Sequence, residues 1–171
     1  METIDKILFY SHYSVYGYLS NFYPSKFVED NIEYNCSEQY FMKKKQELFD
    51  PNNMVLANKI LTNTNPDEIK KFGRQVKNYN DKIWNIKRYN IMKNALRLKF
   101  MQNYDIKKKL ISTYPKILYE ASPYDKIWGT GYNVDDTLQY INQNREYIFG
   151  TNLLGKALVE IRDEFINQVI N

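Results

Sequence analysis

One helical face in the first third of the chain combines a carboxylate and an amine with apolar side chains. Residues 38–49 follow a period of about 3.6, which places Glu38, Phe41 and Lys45 on one side of a predicted helix. Lys45 therefore stands where the hydrophobic pattern requires an apolar residue. Partial burial lowers the pKa of a lysine and makes it a nucleophile or a general base. The alternative is a lysine whose stem covers apolar surface while its amine stays in water.

A second candidate site lies on the stretch Tyr-Asp-Lys-Ile-Trp-Gly-Thr-Gly at 124–131. It holds an acid, Asp125, close to an indole, Trp128. Gly129 and Gly131 allow the backbone to approach a ligand or to adopt a positive φ. An exposed indole on such a loop can stack on a heterocyclic base. The alternative for Asp125 is a turn-forming aspartate that follows a proline.

Other candidate residues also have structural explanations. Trp84 lies on the apolar face of a long predicted helix, and we expect it to anchor that helix in the core. Arg74 follows a helix-ending glycine and could hold a phosphate through two hydrogen bonds, although surface arginines are common. Glu120 precedes the loop and is a candidate second acid. Glu38 has a simpler alternative role, because the helix dipole stabilises acids in the first turn.

These side chains must be positioned by a mixed set of predicted elements. Strands are predicted at 6–11 and 116–120, and a β-hairpin at 26–35 turns at Asp30-Asn31. Helices are predicted from Ser37, as N-cap, to 49, and at 52–61, 66–73, 82–102 with Asn80 or Asp81 as N-cap, 105–113 and 152–168.

Apolar stripes on the two longest predicted helices mark core faces. One stripe is Trp84, Ile91, Ala95 and Leu98, and the other is Leu154, Leu158, Ile161 and Phe165. The elements together predict an α+β fold, mostly helical, with a small antiparallel sheet near the start. The length of 171 residues fits a single domain spanning residues 1–171.

Composition restricts the possible functions. The net charge of +4 is a mild bias toward anionic partners such as phosphate-bearing ligands, and it is too small to argue nucleic-acid binding alone. One cysteine, Cys36, excludes an internal disulfide, and Cys36 with His12 supplies too few ligands for structural zinc, so we expect no metal and no cofactor. The sequence shows neither a signal peptide nor an apolar stretch long enough to cross a membrane, which predicts a cytoplasmic protein.

Five segments occur in the order in which one known family carries them. They are LSNFYPS at 19–25, SEQYFMKKK at 37–45, FGR at 72–74 with KIWNIKRYNIMKNALRLKF at 82–100, LYEASPYDKIWGTG at 118–131, and GTNLLGKALVEIR at 150–162. With them the chain resembles the YbiA-like, or NADAR, family of N-glycosidases from about residue 8 to 165. The family usually has histidine after the glutamate of the second segment, where this chain has Gln39.

The resemblance implies an α+β, mostly helical fold and cleavage of an N-glycosidic bond between ribose and a base, without a metal. Some members act on phosphorylated ribosylamino-pyrimidine intermediates of early riboflavin synthesis, and others are similar to enzymes that remove ADP-ribose from guanine in nucleic acid. Nucleic acid is thus expected only as an ADP-ribosylated substrate. By match of position, the active-site residues would be Glu38, Lys45, Trp84, Asp125 and Trp128. We also expect substrate contacts from Arg74, Glu120 and Asn21.

The chemistry of base removal requires these residue types. Cleavage passes through an oxocarbenium-like ribose. A carboxylate can stabilise the positive charge on this ribose, or it can activate the water molecule that attacks it. An indole can hold the departing base, and an amine of lowered pKa can act as a base or capture C1′ of the ring-opened sugar as a Schiff base. We therefore expect Glu38 and Asp125 to converge with Lys45 on one cleft.

Other classes of protein remain open from the sequence. A non-catalytic nucleotide or ADP-ribose binding module would keep Trp128, Asp125 and Arg74 but would not need Lys45. A nucleic-acid-binding protein would show binding that depends steeply on salt. A scaffold domain would tolerate change at Asp125 and Trp128. The sequence does not choose between free nucleotide and ADP-ribosylated nucleic acid, and it leaves the oligomeric state open.

Overall fold

The computed structural model describes residues 1–170, with side chains for residues 1–168. In this part of the chain there are four strands, seven α-helices and two short 3₁₀ turns. The strands are β1 Lys6–Phe9, β2 Phe27–Glu29, β3 Ile32–Tyr34 and β4 Ile117–Glu120, and the 3₁₀ turns are Gly17–Leu19 and Glu146–Ile148. The helices are α1 Ser37–Phe49, α2 Met54–Thr62, α3 Pro66–Gly73, α4 Asp81–Gln102, α5 Tyr104–Ile111, α6 Val134–Asn142 and α7 Leu153–Ile170.

The α+β, mostly helical class with a small antiparallel sheet is confirmed. Strands β2 and β3 form the predicted hairpin, in which Phe27 pairs with Tyr34. Asp30 and Asn31 at its turn have φ angles of 51° and 63°, the left-handed conformation that a tight two-residue hairpin turn requires. Aspartate and asparagine tolerate this conformation better than other side chains do, which explains why the turn was visible in the sequence.

Two features were not predicted. Strand β1 pairs in parallel with β4, with Leu8 opposite Tyr119, although more than a hundred residues separate them in the chain. Helix α6 was missed: it is short and is capped by Asn133, whose side chain accepts a hydrogen bond from the Asp136 backbone N–H. Neither a distant strand partner nor a nine-residue helix leaves a strong periodic signal in the sequence.

Contacts within the chain group it into two compact units. The central unit is residues 24–103 and contains the hairpin and α1–α4. The terminal unit is residues 1–23 together with the described part of 104–171, and it contains β1, β4 and α5–α7. The assignment of residues 1–171 to a single domain therefore stays a prediction.

The core of the terminal unit forms where α7 packs on β4. The predicted α7 stripe is at most 1% exposed, and its members are Leu154, Leu158, Ile161 and Phe165. Gly155 permits close packing, because a Cβ atom there would lie 2.0 Å from the Leu118 carbonyl oxygen. The helix is thus held directly against the strand that leads into residues 121–131.

In the central unit, α1 contacts α2, α3 and α4. Asn80 caps α4 as predicted, through a hydrogen bond from the Ile83 N–H to its side-chain oxygen. The prediction that Ser37 caps α1 was wrong, because Cys36 is the N-cap and Ser37 is the first helical residue. On α4, Trp84 and Ala95 are buried as predicted, whereas Ile91 and Leu98 are only partly buried. None of the helices within residues 1–170 has the length and apolar content needed to cross a membrane.

Candidate active site

Lys45 lies on α1 where that helix meets α3 and the start of α4. Its amine donates a hydrogen bond of 2.8 Å to the Gly73 carbonyl oxygen, at the end of α3. The same nitrogen lies 4.5 Å from the centre of the Tyr79 ring and 5.9 Å from that of Trp84. The amine is therefore partly enclosed, which favours the partly buried lysine over the alternative in which the amine stays in water.

The surroundings of Lys45 make its amine easier to deprotonate. Partial burial lowers the pKa of Lys45 below its ordinary value, the charge on Glu38 acts to raise that pKa, and the charge on Arg74 acts to lower it. Burial is the largest of these effects. A lysine in this setting supplies more neutral amine near pH 7 than an exposed lysine does.

Glu38 and Arg74 belong to the same electrostatic environment as Lys45. Glu38, in the first turn of α1, is only 5% exposed. It is thus more enclosed than an ordinary first-turn acid in solvent. Arg74 follows the last residue of α3 and is exposed. The central unit therefore offers a carboxylate, an amine and an exposed guanidinium whose charges interact.

An aromatic cluster surrounds the Lys45 amine. Trp84 packs on Phe41 and Phe49 at centroid distances of 4.8 and 6.2 Å, and Phe49 meets the edge of Tyr79 at 5.4 Å. Trp84 is 6% exposed, as expected for a core anchor, whereas Tyr79 is 43% exposed. Tyr79 was not singled out from the sequence, because it precedes α4 and belongs to no periodic pattern.

Gln39, the residue after Glu38, has a structural role here. Its side-chain oxygen accepts a hydrogen bond from the Asn35 N–H at 2.6 Å. Its amide nitrogen donates to the carbonyl oxygens of Ile60, Leu61 and Asn63, at the end of α2. The Gln39 side chain is fully buried and joins α1 to α2 through these bonds. It donates to carbonyl oxygens at the end of α2 that would otherwise have no hydrogen-bond donor.

The loop at 124–131 in the terminal unit is held by its own aspartate. Asp125 Oδ1 accepts hydrogen bonds from the backbone N–H groups of Ile127 and Trp128, both at 2.8 Å. The turn-forming alternative for Asp125 is thus observed, and it does not use the second carboxylate oxygen. Gly131 has a φ of 81°, and a Cβ atom on Gly129 would lie 2.6 Å from the Glu120 carbonyl oxygen. Both glycines are therefore required by backbone geometry.

The same loop is bonded to the segment that leads into α7. The N–H of Thr151 donates to the Lys126 carbonyl at 2.8 Å, and that of Leu154 to the Trp128 carbonyl at 3.0 Å. Asn152, which sequence reasoning missed, bridges to β4: its side chain accepts from the Glu120 N–H and donates to the Leu118 carbonyl. These bonds hold the Trp128 backbone in place while its side chain remains partly exposed.

Asn21 follows the 3₁₀ turn Gly17–Leu19 and is buried, with a side-chain oxygen that accepts no hydrogen bond within the described residues. This oxygen is Oδ1, and Asn21 is 8% exposed. A buried amide oxygen without a partner is costly, so such a group is a candidate acceptor for a ligand donor. The hydroxyl of Ser37, beside Glu38, is in the same condition.

The predicted site residues fall into two sets. The central unit brings Glu38, Lys45, Arg74 and Trp84 together, and the terminal unit holds Asp125 and Trp128 on a loop bonded to Glu120. Convergence of Asp125 with Lys45 on one cleft stays a prediction. Within residues 1–170 no group of three or more histidine, cysteine, aspartate or glutamate side chains is arranged to hold a metal ion. An amine of lowered pKa beside a carboxylate is an acid–base or nucleophilic constellation.

Comparisons with known proteins show which proteins the chain is similar to. The NADAR domain matches residues 8–166. The chain is 39% identical to N-glycosidase R617 of Acanthamoeba polyphaga mimivirus over 150 residues, which are 85% of each protein. It is 37% identical to Protein irg-1 of Caenorhabditis elegans, covering 92% of this chain and 78% of that protein. It is 27% identical to Riboflavin biosynthesis protein PYRR of Zea mays, of which it spans 26%.

A solved structure agrees with these matches. The NMR structure of E. coli YbiA superimposes with a TM-score of 0.77 at 26% sequence identity, covering all of this chain and 90% of the other. The matching fold and the relatives named N-glycosidases thus define a glycosidase of the YbiA-like class. The chain belongs to the NADAR domain family.

Proposed function

We propose that this N-glycosidase hydrolyses the bond between ribose 5-phosphate and the pyrimidine base of early riboflavin biosynthesis intermediates. The observation that carries the proposal is the Lys45 amine, partly buried, lowered in pKa and within the influence of Glu38 and Arg74. The riboflavin names among the relatives support this choice of substrate.

The residues divide the work of the reaction. The C1′–N bond breaks with its electron pair passing to the base, which takes up a proton, and C1′ finally gains the hydroxyl of a water molecule. Glu38 and Asp125 stabilise the positive charge that develops on the ribose or deprotonate the water. Lys45 acts as a base or forms a transient Schiff base with C1′ that water then hydrolyses.

Binding of the substrate uses the remaining predicted residues. Trp128 stacks on the base, and the exposed Arg74 guanidinium pairs with the phosphate through two hydrogen bonds. The open oxygen of Asn21 accepts a hydrogen bond from a donor on the substrate. Trp84, enclosed by Phe41 and Phe49, supports the site from the core side.

A second candidate substrate is an ADP-ribosylated guanine in nucleic acid, and the charge around Arg74 favours it. In residues 70–97 Asp81 is the one acid, while six lysine and arginine side chains of this stretch are exposed. They are Lys70, Lys71, Arg74, Lys77, Lys82 and Lys87. Lys71 is paired at 2.6 Å with Glu68, just before this stretch, and the remaining positive charges attract a polyanion more strongly than a single phosphate.

The test is release of free base by the purified protein from each substrate. The proposal predicts turnover of the ribosylamino-pyrimidine phosphate, with a specificity constant that changes little between 50 and 200 mM salt, a range over which polyanion binding changes steeply. Turnover of an ADP-ribosylguanine oligonucleotide alone, with steep loss in salt, would replace the first substrate by the second. Tight binding of ADP-ribose with no base release from either substrate would instead identify a binding module.

A further inference from the structure

Tyr79 occupies a position next to the reactive amine that none of the five matched segments includes. Its ring centre lies 4.5 Å from Lys45 Nζ, nearer than the ring of Trp84 at 5.9 Å. A ring face at this distance attracts an ammonium group and displaces water from one side of it. Tyr79 is also the exposed member of the aromatic cluster, so it lies at the boundary between the Lys45 amine and solvent.

The Tyr79 ring is fixed from two directions. Its hydroxyl donates a hydrogen bond of 2.9 Å to Asp81 Oδ1, in the first turn of α4. Phe49 meets the ring at 69° between the planes, an edge-to-face contact. Burial, with the Asp81 bond as a second cause, raises the pKa of Tyr79, so the hydroxyl remains a donor across the neutral range.

The backbone before Tyr79 is also anchored. Val76 is 7% exposed, and the Lys77 N–H donates to Asp50 at 3.3 Å. Asn78 has a φ of 54°, which reverses the chain just before Tyr79. A surface tyrosine with a mobile backbone would not hold a fixed position over an amine, whereas this segment is tied at both ends.

We propose that Tyr79 is a positioning residue for Lys45: its clamped ring holds the amine against the Gly73 carbonyl oxygen and limits the access of water to it. This inference rests on the proposed role of Lys45 in base release and adds a residue that controls it. Tyr79 touches the amine and is assigned no contact with the substrate.

The effect on Lys45 has a definite direction. The ring attracts the charged amine, yet water solvates an ammonium ion better than one ring face does, and burial is the largest cause of the lowered pKa of Lys45. Removing the ring therefore raises that pKa toward its ordinary value. Two other charged groups act on Lys45: Glu38 on α1 and Arg74 after α3. Asp81 and Arg88, both on α4, act on Tyr79.

The experiment compares Tyr79→Ala, Tyr79→Phe and Tyr79→Leu with wild type. Acetic anhydride labels neutral amines, so the pH dependence of Lys45 acetylation, followed by mass spectrometry, reports the Lys45 pKa without any substrate. We expect the midpoint to rise in the alanine variant and to stay at the wild-type value in the phenylalanine variant. Leucine packs against Phe49 but is smaller than the ring and lets more water reach the amine, so its midpoint should also rise, by less than that of the alanine variant. It replaces the alanine variant if that variant does not fold.

Activity supplies the second measurement. At neutral pH the neutral fraction of the amine falls about tenfold for each pH unit by which the acetylation midpoint rises, so kcat of Tyr79→Ala at pH 7 should fall in proportion to the measured change in midpoint. The deficit should shrink as the pH is raised, and KM should change little. Tyr104→Ala is the matched control, because Tyr104 also carries a lysine over its ring, Lys108 at 4.7 Å, and should leave both measurements unchanged.

Two results would overturn the inference: an unchanged acetylation midpoint in both the alanine and leucine variants, or equal effects of Tyr79→Phe and Tyr79→Ala. The second result would assign the effect to the hydroxyl and not to the ring. If Lys45→Ala proves fully active, the proposed chemistry of Lys45 fails, while the acetylation midpoints still decide whether Tyr79 controls the amine.

Discussion

Trp84 and Trp128, the two tryptophans of the chain, lie in different environments. Trp84 is buried on α4 between Phe41 and Phe49. Trp128 is partly exposed on a loop whose backbone is bonded to Asp125 and to the start of α7. Helix packing thus adjusts the chemistry of a neighbouring side chain, Lys45, by enclosing it. Loop hydrogen bonds instead hold a side chain at the surface, where it can meet a ligand.

The largest expected effect belongs to the helical region. Lys45→Ala should fold normally and lose about 10²–10⁴-fold in kcat, the usual contribution of a general base or nucleophile. Base release measures the loss, and borohydride added during turnover should trap sugar on Lys45 if a Schiff base forms. Lys59→Ala, which removes an exposed lysine on α2, is the control and should keep wild-type activity. Full activity of Lys45→Ala would show that the enclosed amine has no catalytic role.

Two substitutions of Asp125, on the loop at 124–131, distinguish a catalytic role of its charge from its structural role in the loop. Asp125→Asn keeps the oxygen that accepts from Ile127 and Trp128 but loses the charge. We expect a loss of about 10²-fold in kcat with an unchanged melting temperature. Asp125→Ala should lose activity and also melt at a lower temperature, because the two N–H groups lose their acceptor. An active asparagine variant would show that Asp125 serves the loop alone.

The two tryptophans should respond to truncation in opposite ways. Trp84→Ala should lower the free energy of unfolding by about 3–5 kcal/mol, as for other buried aromatic residues. Trp128→Ala should cost about 1–3 kcal/mol of base stacking, or roughly 5- to 150-fold in kcat/KM, with little loss of stability. Trp128→Phe should keep part of the activity. A sharp loss of stability in Trp128→Ala with wild-type kinetics would make it a second core anchor.

A smaller effect concerns a second lysine of the central unit, Lys99. It is fully buried, and burial lowers its pKa to about 7, while Cys36 acts in the opposite direction. Below the ordinary value of 10.5 the unfolded state binds this proton more readily, so Lys99 destabilises the fold most below pH 7. The penalty decreases as the pH rises from 7 toward 10.5, by at most about 1.4 kcal/mol per pH unit.

Urea unfolding of wild type and Lys99→Met at pH 7.0 to 8.5 measures this dependence. Wild type should gain stability relative to the variant as the pH rises. The range stops below the ordinary pKa of a thiol, because burial raises the pKa of Cys36 to about 11 and would add a dependence of its own at higher pH. Parallel curves for the two proteins would mean that Lys99 keeps its proton throughout, and Lys59→Met should run parallel to wild type.

Much of the fold followed from short-range patterns. Pro66 and Gly73 bound α3 as predicted, Asn80 caps α4, and Asp30-Asn31 turns the hairpin. The place of Lys45 on an apolar face followed from the helical period of 3.6 residues, whereas the sequence left open whether its amine is enclosed. Ser37 shows the limit: a good capping residue was assigned the cap, yet the helix begins one residue earlier, where tertiary packing outweighs capping preference.

The sequence by itself determined every helix except α6, the hairpin and the candidate acids, amine and indoles, because backbone preferences and side-chain periodicity act between residues close in the chain. Only the tertiary structure decided that β1 pairs with β4, that Gln39 bonds the end of α2, and that Tyr79 covers the amine of Lys45. Each of these contacts joins residues far apart in sequence. Their formation depends on loop closure and on the packing of whole elements, which no local pattern records.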